Sequence, residues 1–373
     1  MRLGRVHALI ACGEASFAIA LADSLFLSID PDAARSKVLL FLAISLAPFA
    51  VVAPFIGPII DRVPGGRRFT VFLVNFLRCI TVLLMISRLD SMTLFPLAFI
   101  SLVLSRTYAV SKTALVPTLV PNEQELVAAN GKLGLLAGII GFIASVPALL
   151  LQLIDSRATL VMSAAMFGLA SFASLQLPRH VATASKIISL IKTKDLQGSL
   201  VRHAAISMML LRGVVGFLFF HVAFWLRDER AGTAWFGLAL GLSSLATMFA
   251  NGISPLIRRV MSERAMVTVS LAIISLTGII SGVVGGITAG IILIAVANAM
   301  SSIGRLAFES IVQRETPEAN RARMFVKFET RNQLVWVSSG LVAVVCTFPG
   351  AVGFAIVGIA CSTGLIYFLL LKK

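Results

Sequence analysis

Long runs of apolar residues, separated by short polar segments, extend along the whole chain. A helix that crosses the hydrocarbon core of a bilayer needs about 20 mostly apolar residues. Twelve segments meet this requirement, and we number them as spans 1 to 12 in chain order: 6–28, 37–61, 69–87, 92–116, 133–153, 158–177, 204–226, 233–257, 265–284, 287–311, 333–349 and 351–371. The pattern therefore predicts an all-α membrane protein with twelve transmembrane helices.

The longest connection between spans lies near the middle of the chain and divides the spans into six and six. We predict a six-helix bundle over 1–177, a cytoplasmic linker over 178–203 and a second six-helix bundle over 204–373. Similar positions recur in the two halves at nearly equal offsets: 58–63 with 255–260 at 197 residues, Arg106 with Arg305 at 199, and Pro121 with Pro317 at 196. The halves are therefore interpreted as pseudo-repeats, an arrangement typical of transporters.

Composition supports a membrane protein and excludes two other classes. Hydrophobic residues make up 58% of the chain and charged residues 13%, whereas soluble domains have about 45–50% and 25%. A water-soluble globule and a disordered chain are both excluded by these values. The four cysteines lie inside apolar runs without metal-ligand or disulfide spacing, so we expect buried inert thiols and no cofactor.

The strong positive charge has a topological explanation. The chain carries 32 basic and 17 acidic residues, a formal net charge of +15. If the N-terminus is cytoplasmic, 22 basic residues lie on inner segments, 6 on outer segments and 4 within spans. Because cytoplasmic loops concentrate Lys and Arg, we predict a multi-pass protein of the cell membrane with both termini in the cytoplasm. We expect no nucleic-acid partner.

The connection between spans 2 and 3 carries the most specific motif. Residues 57–68 read Gly-Pro-Ile-Ile-Asp-Arg-Val-Pro-Gly-Gly-Arg-Arg. This resembles the signature loop of the major facilitator superfamily, with two extra residues before the basic pair, and 255–264 resembles its degenerate second copy. Segments 114–130 and 317–323 resemble loops of the branch that includes macrolide and siderophore exporters. The resemblance implies alternating access between two halves.

The same resemblance implies a cytoplasmic gate at this loop. Its acid, Asp61, would help to hold the cytoplasmic side shut, and a glycine without a side chain lets its helix approach a neighbour closely. Ordinary positive-inside arginines are the alternative for the basic positions. The candidate gate residues are Gly57, Asp61, Arg62, Gly65, Arg67 and Arg68.

Ionisable residues inside the spans mark a second candidate site. A charge at membrane depth costs a few kcal/mol or more, so it usually faces a partner or a cavity. In the superfamily, helices 1, 4, 7 and 10 line the central cavity. Each corresponding span carries an ionisable residue: Glu14, Arg106, Arg212 and Arg305. We therefore predict a substrate or proton pathway along these four residues.

Three further residues extend this pathway, each with an alternative. Glu309 follows Arg305 by four residues on one helical face, which leaves a structural ion pair and a substrate contact both open. Arg78 lies at the centre of span 3, where a buried pair or a lipid-headgroup contact is favoured. Asp23 lies nine residues after Glu14, about 900° of rotation on an ideal helix, so the two do not face one cavity. Of the two acids, Glu14 is the deeper and the favoured one.

The predicted function is secondary active transport, not enzymatic catalysis. A Glu14–Arg106 pair would alternate between bound proton and bound substrate. The predicted cavity carries three arginines (Arg106, Arg212 and Arg305) and two acids (Glu14 and Glu309), and this positive balance favours an amphiphilic or anionic solute. The resemblance favours proton-coupled efflux of a drug-like or siderophore-like compound, although Phe142 stands where antiporters of the family carry a proline. The alternative is a lipid or lysophospholipid flippase on the same fold. We expect a monomer whose partners are the substrate, membrane lipids and coupling protons.

Overall fold

The computed structural model describes residues 2–22, 66–89, 91, 93–120, 125–177, 199–229, 233–316, 318–346 and 348–370. These residues form eleven α-helices and a short 3₁₀ helix, with no β-strand in the described part. The helices are α1 (Arg2–Ala22), α2 (Gly66–Ile86), α3 (Leu94–Leu115), α4 (Leu126–Ile154), α5 (Ser156–Ser174), α6 (Ser199–Asp228), α7 (Thr233–Val260), α8 (Glu263–Val284), α9 (Gly286–Glu315), α10 (Glu318–Cys346) and α11 (Gly350–Leu370).

The prediction of an all-α membrane fold is confirmed. Helix α1 corresponds to span 1 and helices α2 to α11 correspond to spans 3 to 12, while span 2 lies outside the described residues. Within the described part of the chain, nine helices are long and apolar enough to cross a membrane. The predicted boundary between the two bundles falls mostly in 178–198, also outside the described residues, and stays a prediction.

Two helices begin well before the apolar run that identified them. Helix α10 begins at Glu318, although span 11 was predicted from residue 333, and α4 begins at Leu126 rather than at 133. Hydropathy detects only the part of a helix that suits the bilayer, whereas backbone hydrogen bonding continues into polar surroundings. The residues after Pro317, predicted as loop from the family resemblance, are therefore helical, and their Arg, Lys and Glu side chains are good helix formers.

The helices form two compact units, described here one at a time. Unit 1 contains the described residues within 1–119, 133–185 and 317–327. In it, α5 packs along both α1 and α2, and α2 packs against α3. The ring of Phe167 is fully buried at the α1–α5 contact, where a Cβ added at Gly13 would lie 2.7 Å from it. Unit 1 therefore brings α1, α2, α3 and α5 into one packed group.

Unit 2 contains the described residues within 120–132, 186–316 and 328–373. In it, α8 packs along α11, and α9 packs against α6, α7 and α8. The first residues of α4 also belong to this unit, where the buried Asn130 amide donates to Gln313 Oε1 at 2.9 Å. Asn251 Oδ1 accepts a second buried hydrogen bond from Ser302 Oγ at 2.7 Å. Paired amides and hydroxyls thus satisfy the polar groups between these helices.

Contacts at helix ends agree with the predicted alternation of spans. In unit 1, Arg2 Nη1 donates to Gln176 O at 3.0 Å and Arg68 Nη1 donates to Leu177 O at 3.2 Å. The starts of α1 and α2 therefore lie beside the end of α5, as expected for spans 1, 3 and 6. In unit 2, the end of α7, the start of α8 and the end of α9 meet through Arg258, Glu263 and Arg314. That this side is cytoplasmic stays a prediction.

A close backbone contact between two helices of unit 2 predicts a large effect from a single methyl group. A Cβ at Gly278 in α8 would lie 2.7 Å from the backbone N of Gly358 in α11. Two backbones cannot give way as a flexible side chain does, so Gly278→Ala should destabilise the protein by about 1–3 kcal/mol. Gly241→Ala is the control, because nothing lies within 4 Å of its added Cβ. Thermal unfolding in detergent checks this, and equal stability of the two variants would contradict it.

Candidate functional site

Glu14 lies at the centre of a polar cluster inside unit 1. Its Oε1 accepts a hydrogen bond from Arg78 Nη1 at 3.0 Å and another from Ser105 Oγ at 2.7 Å. Helices α1, α2 and α3 supply one residue each. We call Glu14, Arg78 and Ser105 the Glu14 cluster.

Arg78 is held in place by its ion pair with Glu14 and by stacking of its planar guanidinium group on an aromatic ring. It is 1% exposed, and its guanidinium carbon lies 3.9 Å from the centroid of the Phe167 ring. A buried guanidinium is tolerated when an anion compensates its charge, and stacking on an aromatic ring adds to its stabilisation. Helix α5, which supplies Phe167, thereby fixes the position of the arginine that holds Glu14.

The two partners of this ion pair differ strongly in their exposure. The Arg78 side chain is 2% exposed, whereas the Glu14 side chain is 43% exposed. Among the described residues, both hydrogen bonds to the carboxylate end on the same oxygen, Oε1. These contacts hold Glu14 at one oxygen, while much of its side chain is exposed.

A second polar contact joins α1 to α3 about two helical turns from Glu14, towards the start of α1. His7 Nδ1 and the hydroxyl of Tyr108 share a hydrogen bond at 2.9 Å, with their ring centroids 5.9 Å apart. Both residues are buried, at 7% and 3% exposure. Neither was among the residues predicted from the sequence. The signal that points to His7 is its spacing of seven residues from Glu14, which places both on one face of α1.

The structure gives Glu14 a different arginine from the one predicted. Arg106 was the predicted partner, but the described contacts of the carboxylate are with Arg78 and with Ser105, the residue before Arg106. Arg106 lies on α3 and is partly exposed. Span 3 therefore contributes to the surroundings of Glu14, although it was predicted to lie off the cavity.

The predicted residues of the second half lie in unit 2. Arg305 Nη1 and Glu309 Oε1 form an ion pair at 2.9 Å along α9, with side chains 32% and 16% exposed. An ion pair between these two residues was one of the two alternatives, and a substrate contact at either of them stays a prediction. Arg212 lies on α6 and is partly exposed.

Most predicted gate residues lie outside the described part of the chain. These are Gly57, Asp61, Arg62 and Gly65, and the same holds for Asp23 of the predicted pathway. Arg67 lies in the first turn of α2. Arg68, in the same turn, donates to Leu177 O just beyond the end of α5, a site where a cation is favoured by the helix dipole. The gate at this loop stays a prediction.

A buried acid at the end of unit 2 was missed from the sequence. Glu263 Oε1 contacts Arg258 Nη2 at 3.0 Å and Arg314 Nη1 at 3.3 Å, and it accepts from Ser310 Oγ at 3.3 Å. We call these four residues the Glu263 cluster. The signal was present, because Glu263 stands five residues after Arg258 in the degenerate copy of the signature loop.

The aromatic residues of span 7 pack within unit 2. His221 stacks on Phe217 with centroids 5.2 Å apart, and both His221 and Trp225 make edge contacts with Phe354 of α11. Phe217, His221 and Trp225 are buried, so these three serve helix packing. Among the described residues, no group of three His, Cys, Asp or Glu could hold a metal ion.

Comparison with known sequences gives a family match along most of the chain. A sequence model described as Major Facilitator Superfamily matches residues 6–340. The chain is 29% identical to the uncharacterized protein ML2143 of Mycobacterium leprae over an alignment of 392 residues, which covers 94% of this chain and 68% of that protein. It is 36% identical over 137 residues to the uncharacterized protein Rv0876c of Mycobacterium tuberculosis, covering 34% of this chain and 24% of that protein.

Solved structures give a matching fold. A bacterial homologue of the iron transporter ferroportin, outward-facing with soaked iron, superposes with a TM-score of 0.72 at 16% identity, over 99% of this chain and 96% of that one. The human organic anion transporter MFSD10 gives 0.73 at 16% identity, over 98% and 97%. The transporter FucP in its outward conformation gives 0.68 at 12% identity, over 100% and 98%. With the match over residues 6–340, the chain belongs to the Major Facilitator Superfamily and is a transporter, not an enzyme.

Proposed function

We propose that the protein is a proton-coupled secondary transporter that exports a small amphiphilic or anionic solute by alternating access. Glu14 is the acid that carries the coupling proton. The observation that supports this role is the unequal exposure of its ion pair, in which Arg78 is 2% exposed and Glu14 is 43% exposed. A charged side chain in a membrane span usually faces a partner or a water-filled cavity, and the exposed part of Glu14 supports a cavity there.

Proton binding at Glu14 changes the charge of the cluster. When Glu14 is ionised, its charge and that of Arg78 cancel, and the carboxylate accepts hydrogen bonds. When Glu14 is protonated, the cluster becomes cationic and the carboxyl gains a donor. The solute binds the exposed carboxylate through a polar donor group, such as a hydroxyl or an amide of an amphiphilic or anionic compound, and so competes with the proton. Such competition couples proton entry to solute release.

For the membrane location of the protein and for the segments that move during transport, we propose what the sequence predicts. Residues 1–177 and 204–373 rock against one another, with 178–203 as the tether and the 57–68 loop as a cytoplasmic gate. Of the 32 basic residues, 22 lie on segments predicted to be cytoplasmic. This distribution supports a cell-membrane protein with both termini in the cytoplasm. The proposed working unit is a monomer.

Glu14→Gln should abolish solute-driven proton movement and leave solute exchange intact. The glutamine oxygen still accepts from Arg78 and Ser105, but the side chain no longer carries a proton. In proteoliposomes with a pH dye, we expect the proton flux to fall about tenfold or more. The panel contains a macrolide, a ferric siderophore, an organic anion, Fe²⁺ and a fluorescent lysophospholipid. Glu229→Gln, an exposed acid that accepts from Trp225 Nε1, is the matched control.

Two outcomes would change the proposal. If Glu14→Gln moves protons as fast as the wild type, Glu14 is not the coupling acid. If only the lysophospholipid changes leaflet, and no soluble compound moves, the flippase alternative replaces the exporter.

A further inference from the structure

We propose that His7 and Tyr108 form a proton relay between Glu14 and the end of unit 1 where α1 begins. The inference rests on the proposed role of Glu14 as the proton-carrying acid and extends it to the route by which the proton arrives or leaves. Histidine suits this task, because its unperturbed pKa near 6.5 lets it gain and lose a proton around neutral pH.

The two polar contacts between α1 and α3 are stacked as successive levels. Glu14 pairs with Ser105 at one level, and His7 pairs with Tyr108 at the other. His7 and Glu14 are seven residues apart, about 10 Å along α1, and Ser105 and Tyr108 are three residues apart, about 4.5 Å along α3. Both spacings keep the partners on one face of their helix. The two hydrogen bonds thus join the same faces of α1 and α3 at two successive positions.

The relay has an open end and a protected end. Glu14 is 43% exposed, whereas His7 and Tyr108 are 7% and 3% exposed. A proton that moves from Glu14 towards the start of α1 therefore passes through side chains. Beyond His7 lies the group of helix ends where Arg2 donates to Gln176 O. Under the predicted topology, this end is cytoplasmic.

The proton step balances with groups of unit 1 and one water. The O–H bond of protonated Glu14 breaks, and its proton passes by way of a water or the Ser105 hydroxyl to the Tyr108 oxygen. The Tyr108 O–H proton moves at the same time to His7 Nδ1. Glu14 ends as a carboxylate next to Arg78, His7 ends as an imidazolium, and Tyr108 is neutral before and after.

The charged residues on the helices around the relay lie on α1, α2, α3 and α5. They are Arg2, Arg5 and Glu14 on α1, Arg67, Arg68 and Arg78 on α2, Arg106 and Lys112 on α3, and Arg157 at the start of α5, away from His7. The acid among them is Glu14. Apart from Glu14 these groups are basic, so their positive charge disfavours a stored proton on His7, which suits a group that passes protons on.

A pH jump followed by infrared spectroscopy tests the relay without a transported solute. The purified full-length protein is reconstituted into liposomes in one orientation, the pH is changed only on the side where α1 begins, and the C=O stretch of protonated Glu14 is identified by its loss in Glu14→Gln. In Tyr108→Phe and in His7→Phe, we expect the rate at which the Glu14 C=O band appears to fall about tenfold or more. Thr107→Val is the matched control. It removes a hydroxyl from the same helix whose hydrogen bond goes to its own backbone, at Val103 O.

The outcomes separate the relay from the proposed function. Rates in Tyr108→Phe and His7→Phe equal to that of Thr107→Val would overturn the relay and leave Glu14 as the coupling acid. A wild type without any Glu14 band across the jump would overturn both. The melting temperatures of all variants are measured alongside. If one of the two relay variants does not fold, the other still tests the relay.

Discussion

Arg78→Ala should lower the free energy of unfolding by about 3–5 kcal/mol, the usual cost of removing one partner of a buried ion pair. The arginine is 1% exposed, and its guanidinium stacks 3.9 Å from the centroid of Phe167. Its loss leaves a cavity at that ring and removes the cation that compensates Glu14 at membrane depth. Chemical denaturation in mixed micelles measures the change.

Arg78→Lys separates charge from shape. Lysine restores a cation near Glu14 but lacks the planar group that both stacks on a ring and donates from a fixed fork. We therefore expect Arg78→Lys to recover only part of the lost stability. A double-mutant cycle of Arg78→Ala with Phe167→Leu measures the stacking term, which we expect to be about 0.5–2 kcal/mol.

The control for this series is an arginine on the surface of the same unit. Arg157→Ala changes an exposed residue at the start of α5, and such changes usually alter stability by less than about 0.5 kcal/mol. If Arg78→Ala unfolds no more easily than Arg157→Ala, the Glu14–Arg78 pair does not support unit 1.

Sequence patterns located the helices well where a helix ends at the membrane surface. Helix α8 spans Glu263–Val284 against the predicted 265–284, and α11 spans Gly350–Leu370 against 351–371. The pattern failed for α10, because its first turns carry charged residues that no hydropathy criterion accepts in a bilayer. Apolar content thus predicts which part of a helix lies in the membrane. It does not detect helical turns that continue beyond the membrane.

The candidate site was predictable in its residues but not in its pairing. Glu14 and Arg78 stand out as charges in apolar runs, because each needs a partner at that depth. Which arginine meets Glu14 depends on how α1, α2 and α3 are arranged around one another, and the family resemblance directed attention to Arg106 on span 4. The buried Tyr108 and His7 carry little signal in the sequence, since one polar residue in a span is common and their contact joins positions 101 residues apart.

Glu263→Gln should destabilise the protein by about 2–3 kcal/mol, the largest effect that we expect in unit 2. The carboxylate is 6% exposed and contacts Arg258 and Arg314, whose side chains are 23% and 30% exposed. A glutamine keeps a hydrogen-bond acceptor but leaves two partly buried cations without an anion at the meeting point of α7, α8 and α9. Since both arginines retain some access to water, the expected loss lies near the low end for buried pairs.

Glu315→Gln is a closely matched control, because Glu315 contacts the same arginine from the surface. Its Oε1 accepts from Arg314 Nε at 3.2 Å, but its side chain is 44% exposed, and exposed pairs contribute about 0–1 kcal/mol. High salt screens exposed charges far more than buried ones. The effect of Glu315→Gln should therefore fade at high salt, while that of Glu263→Gln persists. Equal and equally salt-sensitive losses in the two variants would show that the Glu263 cluster behaves as a surface ion pair and does not hold the three helix ends together.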